Sequence, residues 1–166
     1  MIERAGIGRA LPDAAATERL GAELARALPW SAPQALVAYL QGELGAGKTT
    51  LVRGLLRELG VSGTVRSPSY TLLETYECAG HRILHLDLYR LAGSADVASL
   101  GLRDELDAGV LLLIEWPERA AGSLPRPDLS VSLSSLAVGR HARIEGSGAA
   151  GRAWLAAVGS NGGIQN

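Results

Sequence analysis

The segment from Ala35 to Leu59, ALVAYLQGELGAGKTTLVRGLLREL, constrains the fold more than any other part of the chain. Ala35–Gly42 is a short apolar run rich in strand formers, the pattern of a strand buried on both faces. Thr49–Leu59 places Leu51, Val52, Leu55, Leu56 and Leu59 at helical period, with Arg53, Arg57 and Glu58 off that face. Between the two lie Gly42, Gly47, Lys48 and Thr49 in the spacing G-x-x-x-x-G-K-[ST]. A buried strand that turns through glycines directly into a helix is the context a phosphate-binding loop requires. Ala35–Leu59 supplies that order of strand, glycine turn and helix.

The chemistry follows from residue type. Glycines at 42, 45 and 47 admit backbone conformations that a side chain would block, so consecutive N–H groups can wrap a phosphate. The helix start adds its dipole. Gly42, Glu43, Leu44, Gly45, Ala46, Gly47, Lys48, Thr49 and Thr50 therefore form the candidate nucleotide-binding segment. Lys48 is the only lysine among 16 Lys and Arg residues. A compact, mobile ammonium reaches the outer phosphates, whereas the wide guanidinium fork fits poorly inside such a loop. Thr49 offers a hydroxyl to Mg²⁺. Guanine is commonly read by an Asn-Lys-x-Asp motif, and Lys48 leaves no lysine for one, so ATP is the expected nucleotide.

Such a loop also needs a carboxylate at the end of a neighbouring strand to hold or order the Mg²⁺ shell. Asp87 ends RILHLDLYR and Glu115 ends LLLIEW, each after a run of core residues. Spacing alone does not choose between them. The structural alternatives are a turn cap at Arg90 for Asp87 and a helix cap near Pro117 for Glu115.

The remainder reads as one domain, an ATPase unit over residues 1–158 followed by a disordered tail at 159–166. Pro12–Leu28 is an amphipathic helix. Ser67–Leu91 is a hairpin with its turn at Ala79-Gly80, and Gly93–Ala108 holds short helical pieces broken at Gly101. Gly109–Arg119 contains the most apolar strand, Asp128–Leu136 alternates as a half-exposed strand, Ala142–Gly146 is its short partner, and a terminal helix begins at Gly148. With 4% aromatic residues and no Phe, the core must be aliphatic. A net charge of −1 gives no sign of DNA or membrane binding. One cysteine, no membrane-length apolar run and no apolar signal core at the N-terminus point to the cytoplasm. His81, His85 and His141 make no metal-ligand spacing with Cys78, and His85 reads as a packed core histidine.

GELGAGKTT, SPSYTLLETY, HLDLYRL and IEWPER occur in that order between Gly42 and Arg119. Together they resemble the bacterial TsaE family, small P-loop ATPases needed for threonylcarbamoyladenosine synthesis on tRNA. The resemblance implies an α/β class, a P-loop NTPase-like three-layer fold with flanking helices and a mixed central sheet that includes a β-hairpin. It also implies ATP with Mg²⁺ and partnership with the TsaD and TsaB proteins. TsaD would perform the carbamoyl transfer, this chain would supply an ATP-driven step, and tRNA would be met only indirectly. It gives Lys48 and Thr49 the phosphate and Mg²⁺ roles and makes Glu115 a magnesium-associated acid. It likens Asp87 to an acid of hydrolysis that orients water. Ser69, Tyr70 and Thr71 resemble a nucleotide-sensing switch, with an ordinary turn as the alternative. Trp116 would pack against the site or a partner, with a core tryptophan as the alternative, and Arg140 would touch the nucleotide, with a plain surface arginine as the alternative. The chain departs from the family at Glu43 and Ser69, where Asp and Thr are usual, and keeps the functional group at both. Two other readings share the loop: a small-molecule kinase, for which Arg119–Arg126 is too short a lid, and an ATP-gated assembly module without turnover.

Overall fold

In the computed structural model, which describes residues 5–93 and 95–161, the chain forms a seven-stranded sheet between two helical layers. In chain order the elements are β1 (Ala5–Leu11), α1 (Ala14–Arg26), β2 (Leu36–Gln41), α2 (Lys48–Glu58), β3 (Leu73–Cys78), β4 (His81–Asp87), α3 (Ala95–Ala98), β5 (Val110–Glu115), β6 (Leu129–Ser135), β7 (Arg140–Gly146) and α4 (Gly148–Asn161). Short 3₁₀ turns cover Leu102–Glu105 and Pro117–Ala120.

The sheet order is β1-β7-β6-β2-β5-β4-β3. The central strands β6, β2, β5 and β4 run parallel, β3 at one edge and β7 at the other run against them, and β1 lies antiparallel on the outside of β7. All of the parallel strands therefore end at the same edge of the sheet, where the loop after β2 also lies. Alternate residues feed the two layers. Leu36, Ala38, Leu40, Leu111, Leu113 and Ile83 pack with α1, α2 and α4. Val37, Leu84, Leu86, Leu112 and Ile114 pack with α3 and the 3₁₀ turns. The core is aliphatic apart from Trp154, whose Nε1–H donates to Leu24 O at 3.0 Å and ties α4 to α1.

The contact between α1 and α2 depends on two glycines. A Cβ at Gly54 would lie 2.1 Å from Glu18 O, and one at Gly21 would lie 2.2 Å from Leu51 O. The two backbones can approach this closely only because neither position carries a side chain. Asp13 caps α1, accepting from Ala16 N–H at 2.7 Å.

The expected hairpin, its turn, the broken helical segment and the apolar β5 are all present. β1 is an addition: Ala5–Leu11 holds two glycines and an arginine rather than a run of strand formers, and it forms only as an edge strand on β7. α4 runs through Asn161, three residues into the segment expected to be a disordered tail, and residues 162–166 lie outside the described residues. Among the described residues, no helix is long and apolar enough to cross a membrane.

Candidate functional site

β2 ends at Gln41, and the chain turns through Gly42, Gly45 and Gly47 at φ of 146°, 80° and 107°, values that an L side chain strains to adopt. α2 starts at once at Lys48, and no side chain caps it. Its first backbone bond is Leu51 N–H to Gly47 O at 2.9 Å. The N–H groups of Lys48, Thr49 and Thr50 precede that bond and have no carbonyl one turn earlier. This leaves an electropositive cradle at the carboxyl edge of the sheet.

Lys48 folds back over its own loop. Its Nζ donates to Gly42 O and, at 3.0 Å, to Glu43 O, and lies 4.1 Å from the centroid of the Trp116 ring. It is only 5% exposed. Burial pushes its pKa down, and the negative charges of Glu115, Glu118 and Asp87 oppose that. The side chains of Glu43 and Leu44 are exposed, and Glu43 contributes through its carbonyl.

Asp87 and Glu115 are cross-strand partners at the ends of parallel β4 and β5. Both are buried, and each carboxylate is held at both oxygens. Thr49 Oγ–H donates to Glu115 Oε1 at 2.9 Å, and His85 Nε2 faces Glu115 Oε2 at 2.7 Å. Tyr89 N–H donates to Asp87 Oδ1 at 2.9 Å, and the Ser67 hydroxyl donates to Asp87 Oδ2. Burial raises the pKa of Asp87. The Tyr89 N–H opposes the rise, the Glu115 charge adds to it, and His85 and Lys48 lower it. Of the structural alternatives that spacing left open, Glu115 does not serve its own, because Trp116 stands at the cap of the Pro117 turn, whereas the Tyr89 N–H bond makes Asp87 a cap of the turn at Tyr89-Arg90 as well.

A cavity of about 420 Å³ opens among these groups and brings together Lys48, Thr49, Ser67, Asp87, Glu115 and Trp116. Of the three switch candidates, Ser69 lines it, whereas Tyr70 and Thr71 are exposed. The Arg90 guanidinium lies 4.5 Å from the Tyr70 ring centroid. Trp116 adopts φ 59° and lines the cavity under Lys48 and beside Tyr89. Arg140, at the start of β7, approaches the loop from the other side. It donates to Gly45 O at 3.1 Å and Ala46 O at 3.2 Å, and it borders a second cavity of about 230 Å³ with Pro12, Asp13 and Thr17.

Two residues at this site were not expected from sequence. Ser67, adjacent to Pro68, holds the second oxygen of Asp87, nearer the chemistry than Ser69. His85 is buried, as expected of a core histidine, yet it is not merely packed: it meets Glu115. The available signal was the two-residue spacing to Asp87, which puts both on one strand face.

The donor set can be tested against a metal. Among the described residues no group of three or more His, Cys, Asp or Glu could hold an ion. Thr49 and Glu115 present hard oxygen donors beside a phosphate cradle. This suits a cation that completes its shell with water and substrate phosphates, as Mg²⁺ does, and not a resident metal in a protein cage.

The family model for threonylcarbamoyl adenosine biosynthesis protein TsaE matches residues 11–143. The chain is 44% identical over 124 residues to the tRNA threonylcarbamoyladenosine biosynthesis protein TsaE of Haemophilus influenzae, covering 74% of this chain and 78% of that one. It is 40% identical over 114 residues to the protein of the same name from Synechocystis, covering 66% and 69%. The crystal structure of Bacillus subtilis YdiB superposes with a TM-score of 0.76 at 21% identity, covering 98% of this chain and 99% of the other, which is a likeness of fold.

Proposed function

The chain belongs to the TsaE family, and from that premise we propose that it binds and hydrolyses ATP with Mg²⁺ in support of threonylcarbamoyladenosine formation on tRNA, working in the cytoplasm with TsaD and TsaB. One observation carries the reading. Lys48 and Thr49 open α2 directly opposite a pair of buried carboxylates, Asp87 and Glu115, at the ends of two neighbouring parallel strands.

In this reading the β- and γ-phosphates of ATP lie over the first N–H groups of α2. Lys48 exchanges the carbonyls of Gly42 and Glu43 for phosphate oxygens. This exchange is favourable because a buried ammonium gains more from an anion than from neutral carbonyls. Thr49 and Glu115 would hold the metal. When bound, Mg²⁺ neutralises charge on the phosphate oxygens. Asp87 orients the attacking water and accepts its proton, and its raised pKa makes it a better proton acceptor than an exposed carboxylate. The adenine and ribose would lie toward the second cavity, where Arg140 braces the loop carbonyls. Trp116 would cover the phosphate side, and Ser69, Tyr70 and Thr71 form the segment able to respond to the γ-phosphate.

The deciding experiment is multiple turnover of ATP with and without TsaD and TsaB. Phosphate release that the partners stimulate is expected. Partner binding in the ATP state without any phosphate release would reduce the protein to an assembly module. Transfer of phosphate to an acceptor metabolite would make it a kinase.

A further inference from the structure

We infer that His85 is a positioning residue that fixes the orientation of the Glu115 carboxylate through an Nε2–H hydrogen bond, and so sets how well Thr49 and Glu115 can receive Mg²⁺; the inference rests on the nucleotide reading above. His85 lies on β4 between Ile83 and Asp87 on the same strand face, in register with Leu113 of β5 and Glu74 of β3. It is 0% exposed. Ile83, Leu111 and Leu113 make that region aliphatic, so packing alone would be served by another aliphatic residue. A buried imidazole is retained only where a hydrogen bond offsets its desolvation.

That bond is the 2.7 Å contact to Glu115 Oε2. Among the described residues, the other ring nitrogen, Nδ1, is buried without a partner. A buried N–H with no acceptor is costlier than a bare nitrogen, which assigns the proton to Nε2 and leaves Nδ1 as the unpaired lone pair. Glu115 accepts only, so the Nε2–H pins Oε2 on the inner side. Oε1 is left facing Thr49 Oγ at 2.9 Å, toward the cavity. Without the histidine, Oε2 would be a buried carboxylate oxygen with nothing to hold it, and the group could rotate away from Thr49. Partners that orient a liganding carboxylate in this way tune metal affinity without touching the metal.

The test compares ADP binding by calorimetry, in EDTA and in saturating Mg²⁺, for the wild type, His85→Met and His85→Gln. Met fills the space without a donor, whereas the Gln amide can reach Glu115 from near the Nε2 position. In the wild type Mg²⁺ should tighten ADP binding. His85→Met should keep its affinity in EDTA and lose roughly tenfold of the Mg²⁺ effect, and His85→Gln should recover most of it. A His85→Met protein with the full wild-type Mg²⁺ effect would overturn the inference and leave the nucleotide reading intact. A wild type that binds no ADP in either condition would overturn both. If His85→Met does not fold, the ring ¹⁵N signals of the wild type decide. Protonated Nε2 with bare Nδ1 is expected, and the reverse tautomer would refute the inference.

Discussion

Asp87 and Glu115 sit side by side at the ends of two parallel strands, yet they are held by different parts of the chain. Glu115 is fixed by Thr49 and His85, which belong to α2 and β4. Asp87 is fixed by Tyr89 and Ser67, which lie in the segments entering and leaving the hairpin. Under the ATPase reading their substitutions should separate. Asp87→Asn should cut turnover about 100-fold or more, within the range typical of proton-transfer groups, and leave Mg·ATP affinity near wild type. Glu115→Gln should weaken the Mg²⁺ dependence of binding as well. Steady-state turnover paired with nucleotide titration checks this, and equal loss of both quantities in both variants would mark the acids as structural.

Lys48→Ala should lower ATP affinity by roughly 10- to 100-fold, the worth of a charge-assisted contact to phosphate. Lys48→Arg should fail to restore it, because the planar guanidinium fork does not reproduce the compact ammonium that sits over Trp116 and between the carbonyls of Gly42 and Glu43. Wild-type ATP affinity in Lys48→Ala would remove the basis of the phosphate assignment.

Asp87 should make the free protein less stable at neutral pH. Its folded pKa is raised, with burial the largest cause, above a reference of 3.8. The unfolded chain therefore gives up this proton first as pH rises. The cost is absent below the reference value, appears as pH climbs above it and grows until the pH has passed the raised folded pKa. Without nucleotide, Asp87→Asn should melt about 2–4 °C above wild type at pH 7 for each kcal/mol of penalty relieved. The difference should close as pH falls through that range. Melting curves across pH are sufficient, and a variant less stable than wild type at pH 7 would contradict the expectation.

Gly54→Ala should destabilise by about 1–3 kcal/mol, since its Cβ would enter the backbone of Glu18 and push α1 off α2. Urea denaturation measures this. A neutral result would mean that the two helices can separate at no cost.

Trp116 should report nucleotide binding by fluorescence. The Lys48 ammonium lies against its ring and, under the nucleotide reading, should leave it when phosphate arrives. The other tryptophans, Trp30 and Trp154, are remote from the cleft lining. The ATP-dependent emission change should therefore vanish in Trp116→Phe, and its persistence would show that Lys48 stays where it is.

The loop, its strand and helix, the hairpin and both acids were legible in sequence because each rests on local patterning: glycines at set intervals, runs of core residues, an acid at the end of a run. β1 was not, because an edge strand with glycines at positions 6 and 8 draws its order from β7 and not from its own propensity. Ser67 and His85 were not, because their roles depend on which oxygen of which carboxylate they meet across 20 and 30 residues of chain. Arg140 was expected at the nucleotide, and its direct bonds are to the loop carbonyls of Gly45 and Ala46. Composition carries no record of that choice.

Leu72 has φ 64° and closes the Ser67–Thr71 segment, with its N–H on Pro68 O at 2.7 Å and its carbonyl on Asp87 N–H at 3.1 Å. This short, strained loop is thus fastened to Asp87 at both the side chain and the backbone, and to Glu115 by neither. Tension applied at Tyr70, on the outer surface, would be felt at Asp87, the proposed acid of hydrolysis, while Glu115, the proposed metal-binding acid, carries no bond to this loop. Under the ATPase reading, grip on the nucleotide and the pace of its breakdown would rest on different attachments, so that an external contact could throttle one and spare the other.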